Sequence, residues 1–185
     1  AGFELTRNYR EAYNIFACNG ILFNHESPRR GETFVTKKII RALVRIKMGK
    51  QKSLFLGNLD SKRDWGHARD YVEAMWKILQ QRKPDDYVIA TGKQYSIRQF
   101  INLVAKKINL NIIWKGKGLN EKGYDTRTKK NIIFIDKNYI RPLDVNTLLG
   151  NASKARKQLS WTPKTNINQL IEEMISEELN ILNVE

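Results

Sequence analysis

Apolar residues recur along this chain at helical spacing in some segments and in short continuous runs in others. The segments with helical spacing predict helices at Asn8–Tyr13, Thr33–Met48, Arg69–Leu79, Ser96–Ile108, Ala152–Leu159 and Ile167–Leu182. The short runs predict strands at Ile15–Phe23, Ser53–Leu56, Tyr87–Ala90, Ile112–Trp114 and Ile132–Ile135. Alternation of helices and strands indicates an α/β fold.

Local signals sharpen some of these elements. Ser96 and Gln99 have the spacing of a capping box at the start of a helix. In the helix Arg69–Leu79, four apolar residues share one side: Val72, Met75, Trp76 and Leu79. We expect Ile15–Phe23 to be a buried strand, Asn24–Gly31 to form turns, and the segment Gly116–Lys130, rich in glycine and lysine, to be a mobile loop. No earlier strand is present to pair with Ile15–Phe23, which suggests a piece of a larger fold.

Composition is that of a globular protein. The chain has 185 residues, of which 41% are hydrophobic, enough for one domain with a real core. Its apolar runs are far shorter than the roughly 20 residues of a membrane span, and the N-terminus has no signal-peptide pattern. A single cysteine, Cys18, excludes an internal disulfide. We therefore expect a cytoplasmic protein without a membrane partner.

The net charge of +14 favours an anionic partner. The basic residues are scattered, and most are lysines expected on solvated faces. A nucleotide diphosphate needs only two or three cations. Nucleic acid is a less favoured partner, because basic patches with interleaved aromatic residues and known reader motifs are missing from the sequence.

Most familiar catalytic patterns are also missing. The sequence has neither a glycine-rich dinucleotide turn nor a P-loop. None of its seven tyrosines is followed by a lysine four residues later, which a short-chain dehydrogenase needs to lower the phenol pKa. One cysteine and two histidines cannot form a zinc cluster, and G-x-S-x-G is absent. We assign no catalytic residue and no metal site to this chain.

Three polar stretches lie after predicted strands, where α/β proteins bind ligands. In Asn24–Gly31, the adjacent Arg29 and Arg30 suit a phosphate, although a capped turn with solvent-facing arginines explains them equally. Gly57–Asp70 offers the cation Arg63, with Asp64 to orient it and Trp65 as a platform, or else a salt-bridged helix entry. Arg141–Val145 offers an arginine and Asp144, which could together contact a guanine.

These stretches resemble the GDP-mannose 4,6-dehydratase family. The resemblance rests on Asn19–Gly31, Gly57–Asp60, Arg63–Trp76, Tyr87–Gly92 and Tyr139–Pro142, and it extends from about Asn8 to the C-terminal helix. It implies the C-terminal end of a Rossmann-type extended short-chain dehydrogenase with its smaller α/β substrate-binding domain. Residues 8–32 would end the NADP-binding domain, and residues 33–185 would form the substrate domain, with some segments returning to the Rossmann sheet.

The resemblance also implies the activity. The family converts GDP-D-mannose to GDP-4-dehydro-6-deoxy-D-mannose, a step toward GDP-fucose. A bound NADP takes a hydride from C4, water leaves across C5 and C6, and the hydride returns to C6. By resemblance the chain acts in a homo-oligomer, either a dimer or a tetramer. The residues implied to contact GDP-mannose are Asn24, Val35, Lys38, Arg63, Arg141 and Asp144, and those implied to reach NADP are His25 and Arg30.

The chain departs from the family pattern in three places. Residues 1–7 do not resemble the apolar aromatic helix of the family. The family's active-site Thr, Glu, Tyr and Lys lie upstream of the matching region. Asp144 stands where the family usually has glutamate. The sequence therefore predicts a dehydratase lacking its N-terminal half, inactive alone, or else a non-catalytic module or partner subunit that binds a nucleotide sugar.

Overall fold

A computed structural model describes residues 1–140 and 143–184. The helices are α1 (Gly2–Tyr13), α2 (Val35–Lys47), α3 (Ala68–Leu79), α4 (Ile97–Lys107), α5 (Ser153–Leu159) and α6 (Ile167–Val184). The strands are β1 (Gly20–Leu22), β2 (Asn24–Glu26), β3 (Leu54–Leu56), β4 (Lys62–Arg63), β5 (Trp65–His67), β6 (Tyr87–Ile89), β7 (Tyr95–Ser96), β8 (Ile112–Lys115), β9 (Lys122–Asp125) and β10 (Lys130–Ile135). No helix in these two ranges is long and apolar enough to cross a bilayer.

The chain folds into two compact units, each assembled from separate segments. Unit 1 comprises residues 1–26, 64–94 and 149–167, and unit 2 comprises residues 27–63, 95–148 and 168–185. Both units contain helices and strands, so the predicted α/β class is confirmed. The predicted division into a cofactor domain and a substrate domain stays a prediction.

Unit 1 is built on two pairs of parallel strands. β1 pairs with β6, and β2 pairs with β5. The Phe23 amide between β1 and β2 donates to the Ile89 carbonyl at 3.0 Å, which continues the first pairing. The buried core combines residues of α3, β6, α5 and the segment after it: Tyr71, Ala74, Ile78, Tyr87, Ile89, Ala90, Ala152, Ala155, Leu159 and Trp161.

The buried strand predicted at Ile15–Phe23 is wrong in both length and burial. Only Gly20–Leu22 is a strand, and Ile15 and Phe16 are more than 40% exposed. The predicted turn at Asn24–Gly31 begins instead with β2, a strand of polar residues. Pairing with β5, and not an apolar side chain pattern, makes this segment extended.

The helix predicted at Arg69–Leu79 is confirmed as α3, but the apolar side predicted from the sequence is exposed. Val72, Trp76 and Leu79 are each at least 60% exposed. The buried side is a second apolar stripe, formed by Tyr71, Ala74 and Ile78, and it also carries Asp70. Asp70 is satisfied by hydrogen bonds from the Lys164 and Thr165 amides to its carboxylate and from the Trp161 indole to its carbonyl, at 3.0, 2.9 and 2.8 Å.

Unit 2 contains a four-stranded sheet in the order β3-β10-β9-β8. β3 is parallel to β10, and the other pairs are antiparallel. The largest completely buried apolar side chains of the unit come from α2, α4, α6 and this sheet: Ile39, Ile40, Leu43, Leu54, Phe100, Ile101, Ile133, Leu170 and Ile171. The predicted capping box is confirmed, because the Ser96 hydroxyl accepts from the Gln99 amide at 3.0 Å and the Gln99 side chain accepts from the Ser96 amide at 2.8 Å.

The mobile loop predicted at Gly116–Lys130 is wrong, because this segment contains β9, a central strand of the sheet. Gly123 is required there, since a Cβ at this position would lie 2.9 Å from the Cβ of Ile133. The turn that follows is closed by the buried carboxylate of Asp125, which accepts hydrogen bonds from the Arg127 amide and the Thr128 hydroxyl.

Helix α1 has no buried residue and is held to unit 1 by a pair of charged side chains. The Arg10 guanidinium contacts both carboxylate oxygens of Asp86, at 2.9 and 3.0 Å. The backbone and side-chain amides of Asn19 also donate to Asp86, each at 2.9 Å. The hydrogen bond from Arg10, reinforced by those from Asn19, lowers the pKa of Asp86 to about 2.

This lowered pKa predicts acid sensitivity of unit 1. The Asp86 carboxylate stabilises the folded state fully above its ordinary pKa of 3.8, and its contribution is lost as the pH falls toward about 2. The contribution is about 2 kcal/mol. Urea denaturation at stepped pH should therefore show a steeper loss of stability between pH 4 and 2 for the natural chain than for Asp86→Asn. Parallel curves for the two proteins would contradict the assignment.

Candidate functional site

Two of the predicted ligand residues lie in β2 of unit 1. Asn24 and His25 are half-buried, opposite Trp65 and Gly66 of β5. The His25 ring has its Nδ1 atom 2.9 Å from the Phe23 carbonyl oxygen, and its centroid is 5.1 Å from that of the Tyr71 ring. The imidazole orientation is therefore set by one polar and one aromatic contact.

Tyr71 is the buried phenol of this region. Burial raises its pKa well above the ordinary value, and the negative charges of Asp64, Asp70 and Glu26 raise it further. Its hydroxyl has no hydrogen-bond partner among the described residues. A phenol held in its neutral form cannot serve as a proton acceptor near neutral pH.

The other predicted ligand residues that the structure describes belong to unit 2. The Arg30 guanidinium lies 3.6 Å from the centre of the Phe34 ring, immediately before α2. Val35 is the first residue of α2, and Lys38 lies one turn further on, with its ammonium 3.5 Å from the centre of the Tyr139 ring. Arg141 lies outside the described residues.

A pocket of about 260 Å³ opens beside α2 and β3. Its lining includes three cations from α2, two aromatic side chains and one carboxylate: Lys38, Arg41, Arg45, Phe55, Tyr139 and Glu32. Gly57 allows the backbone of Tyr139, a lining residue, to approach closely, since a Cβ at position 57 would lie 2.2 Å from the Tyr139 carbonyl oxygen. The pocket is therefore basic and partly aromatic, which suits a planar anionic ligand.

Two of the three pocket cations are held by carboxylates. Arg41 forms an ion pair with Glu32, and the Nε atom of Arg45 lies 3.0 Å from Glu178 of α6. The sequence interpretation missed Arg41, Arg45, Phe55 and Tyr139. A signal was present for the arginines, because residues 38, 41 and 45 recur at helical spacing on one side of α2.

Arg63 is oriented by Asp144 and not, as predicted, by its neighbour Asp64. One terminal nitrogen of Arg63 lies 2.8 Å from Asp144, and the other donates to the carbonyls of Val145 and Lys62 at 2.6 and 2.9 Å. The side chain of Arg63 is 13% exposed. Arg63 and Asp144, both predicted as ligand residues, are thus brought together.

Asp64 has a structural role in unit 1. Its carboxylate is completely buried and accepts from both the amide and the hydroxyl of Thr91, at 2.9 and 2.6 Å. It also accepts from the amides of Gly92 and Gly150, at 2.9 and 3.3 Å. Trp65, predicted as a platform, is buried as well. Within the two described ranges, no group of three histidine, cysteine or acidic residues has the arrangement of a metal site.

Comparison with known proteins identifies the relatives of this chain. The family described as GDP-mannose 4,6 dehydratase matches residues 1–174. The chain belongs to this family. A GDP-mannose 4,6 dehydratase of Dictyostelium discoideum is 53% identical over 175 residues, which are 95% of this chain and 49% of that protein. The Vibrio cholerae GDP-mannose 4,6-dehydratase is 50% identical over 184 residues, which are 94% of this chain and 50% of that protein.

Solved structures show the same fold at low sequence identity. RMD from Pseudomonas aeruginosa, complexed with NADPH, has a TM-score of 0.75 at 20% identity, covering 96% of this chain and 52% of that one. The dTDP-glucose 4,6-dehydratase of Bacillus anthracis, in complex with NAD, has a TM-score of 0.74 at 16% identity, covering 96% and 49%. The predicted extended short-chain dehydrogenase fold is thus confirmed. This member of the GDP-mannose 4,6-dehydratase family spans about half the length of its matched relatives.

The buried carboxylate of Asp64 generates a prediction for stability. Asp64→Asn replaces one acceptor oxygen with a donor that faces amide donors, so we expect a loss of about 3 kcal/mol in the free energy of unfolding. Urea denaturation followed by tryptophan fluorescence measures this loss. The control is Asp85→Asn, at an exposed ion pair with Lys154, which should change stability by less than about 1 kcal/mol. Equal losses in the two variants would contradict the role of Asp64.

Proposed function

We propose that this chain supplies the nucleotide-sugar-binding part of an enzyme that converts GDP-D-mannose to GDP-4-dehydro-6-deoxy-D-mannose and water. The observation that carries the proposal is the basic pocket of unit 2, in a chain that belongs to the GDP-mannose 4,6-dehydratase family. The non-catalytic alternative shares this pocket and differs only in whether turnover follows binding.

The pocket has the chemistry that a guanine nucleotide needs. Lys38, Arg41 and Arg45 provide positive charge for phosphate oxygens, and Phe55 and Tyr139 provide aromatic surface for a base. Phe55 is 46% exposed and stacks on Phe134, with ring centres 5.4 Å apart. We propose that Val35 and Lys38 contact the nucleotide from the start of α2.

Arg63 is proposed as a separate phosphate contact of unit 2. Its guanidinium is fixed by Asp144 and two carbonyls, so little side-chain entropy is lost when it binds an anion. Asp144 then acts through Arg63, by orienting the guanidinium, in place of the direct guanine contact expected from the sequence. Asn24 in unit 1 and Arg141 remain proposed contacts of the sugar nucleotide by family resemblance.

Unit 1 is proposed to belong to the domain that binds NADP. Its parallel strands are typical of such a domain. The proposed cofactor contacts of this chain are His25 of unit 1 and, by family resemblance, Arg30 of unit 2. The fixed ring of His25 suits a positioned hydrogen bond to such a ligand. When bound, NADP supplies the hydride acceptor and donor of the reaction.

We propose that the residues for proton transfer lie in a segment equivalent to the part of the relatives that this chain does not match. Tyr71 is unsuited to it, because its pKa is raised and not lowered. Unit 1 also has surfaces on which such a half can pack. In the described residues β1 pairs on one side only, and the apolar sides of α1 and α3 expose Leu5, Tyr9 and Trp76, among others.

A reconstitution experiment tests the dehydratase. The 185-residue chain should show no turnover of GDP-mannose with NADP, whereas a mixture with the unmatched half of the Dictyostelium discoideum relative should form the 4-dehydro sugar, detected by mass spectrometry. Turnover by the chain alone would contradict the proposed division of labour. Binding of GDP-mannose without turnover in any mixture would favour the non-catalytic module.

The proposed role of Arg63 predicts a loss of affinity. Arg63→Ala should weaken GDP-mannose binding by about ten- to a hundredfold, the value of one hydrogen bond to a charged group. Arg63→Lys should recover only part of it, because a point charge cannot replace the planar fork. Isothermal titration calorimetry of the reconstituted complex measures both.

Arg127→Ala is the matched control for Arg63→Ala, since it removes the same charge from an exposed turn between β9 and β10. It should leave the affinity within about twofold, because isolated surface charges have small effects. Equal losses in both variants would mean that general attraction to a protein of net charge +14, and not a site at Arg63, holds the ligand.

A further inference from the structure

We infer that Glu178, on α6, is a positioning residue for the nucleotide pocket of unit 2. Glu178 is not among the residues that line the pocket. It acts by fixing the positions of the cationic side chains of α2. The inference rests on the proposed function, since it gives those cations a nucleotide to bind.

Glu178 is a buried carboxylate surrounded by cations. Its side chain is 2% exposed. One oxygen lies 3.0 Å from the Nε atom of Arg45 and 3.9 Å from that of Arg41, and the other lies 3.8 Å from the ammonium of Lys37. Lys37 is itself buried, and its ammonium has no hydrogen-bond partner in the described part of the chain. One negative charge therefore faces three positive charges.

The three cations occupy every fourth position of α2, so they share one side of the helix. Arg41 and Arg45 also line the pocket, and Lys38, another lining residue, directly follows Lys37 in sequence. Two of the three pocket cations are therefore in contact with Glu178. Without its charge, like charges at adjacent turns of α2 would repel one another and move apart.

Attachment of α6 to unit 2 does not by itself account for a buried acid at this position. Leu170, Ile171 and Met174 of α6 are already buried in the apolar core. Burying a carboxylate is costly unless several partners compensate for its lost hydration. A role in fixing the pocket cations explains why a charged residue and not an apolar one occupies position 178.

A positioning role of Glu178 predicts that removing its charge changes the affinity for an anion in the direction opposite to that expected from its electric field alone. Removing a negative charge near an anion site should tighten anion binding if the charge acts only through its field. If Glu178 positions the cations, removing it should weaken binding. We expect Glu178→Gln to weaken GDP binding by about tenfold, comparable to losing one charge-assisted contact.

The experiment measures GDP binding to the full 185-residue chain by isothermal titration calorimetry. Measurements are made at a temperature where circular dichroism shows each variant to be folded. Glu178→Asp keeps the charge and should recover part of the lost affinity. Glu177→Gln, an exposed position next in sequence on the same helix, is the control and should bind like the natural chain.

The outcomes separate this inference from the proposed function. If the natural chain binds GDP and Glu178→Gln binds it equally well or more tightly, the positioning role is overturned while the nucleotide site stands. An aspartate variant that recovers nothing would overturn the role of the charge. If the natural chain fails to bind GDP at all, the proposed nucleotide site and this inference are both overturned.

Discussion

The buried carboxylate of Asp64 is the interaction on which unit 1 depends. It accepts hydrogen bonds from Thr91 and Gly92, just after β6, and from Gly150, just before α5. Two segments distant in sequence thus bind one side chain, which lies directly before β5. The pairs of parallel strands in this unit are short and provide few hydrogen bonds of their own. Because a carboxylate excluded from water must be fully satisfied, each of these segments is held in one position.

This interaction also marks the limit of what could be predicted from sequence. The helices α2 and α4 were predictable, because helical spacing of apolar residues and the capping box of Ser96 are local signals. The partners of Asp64 were not, because they lie 27 to 86 residues away in the chain. Arg63, the sequence neighbour of Asp64, is not its partner, because the Arg63 guanidinium binds Asp144, 81 residues away. Adjacent charges in a sequence need not share an environment once the chain has folded.

The errors in strands and helix faces have the same physical origin. β2 and β9 are rich in polar residues and glycine, and only their pairing partners make them strands. The apolar spacing of α3 was recognised correctly, but the buried side of that helix is the one on which Asp70 and Tyr71 meet Trp161. A hydrophobic pattern locates a helix well. Helix α3 carries a second apolar stripe of Tyr71, Ala74 and Ile78, and this stripe, beside the hydrogen-bonded Asp70, is the side that faces the core.

Acidic residues also explain how a chain with a large positive charge can hold a specific anion site. Most of its cations are exposed, and exposed cations attract anions without selecting among them. Two of the three cations that line the pocket differ, because carboxylates hold them: Glu32 holds Arg41, and Glu178 holds Arg45. Asp144 does the same for Arg63 elsewhere in unit 2. Each pairing lowers the local positive charge, yet it removes the conformational freedom that a ligand would otherwise have to quench. In the proposed nucleotide site, we therefore expect selectivity to depend on the few acids that fix the cations, more than on the number of cations.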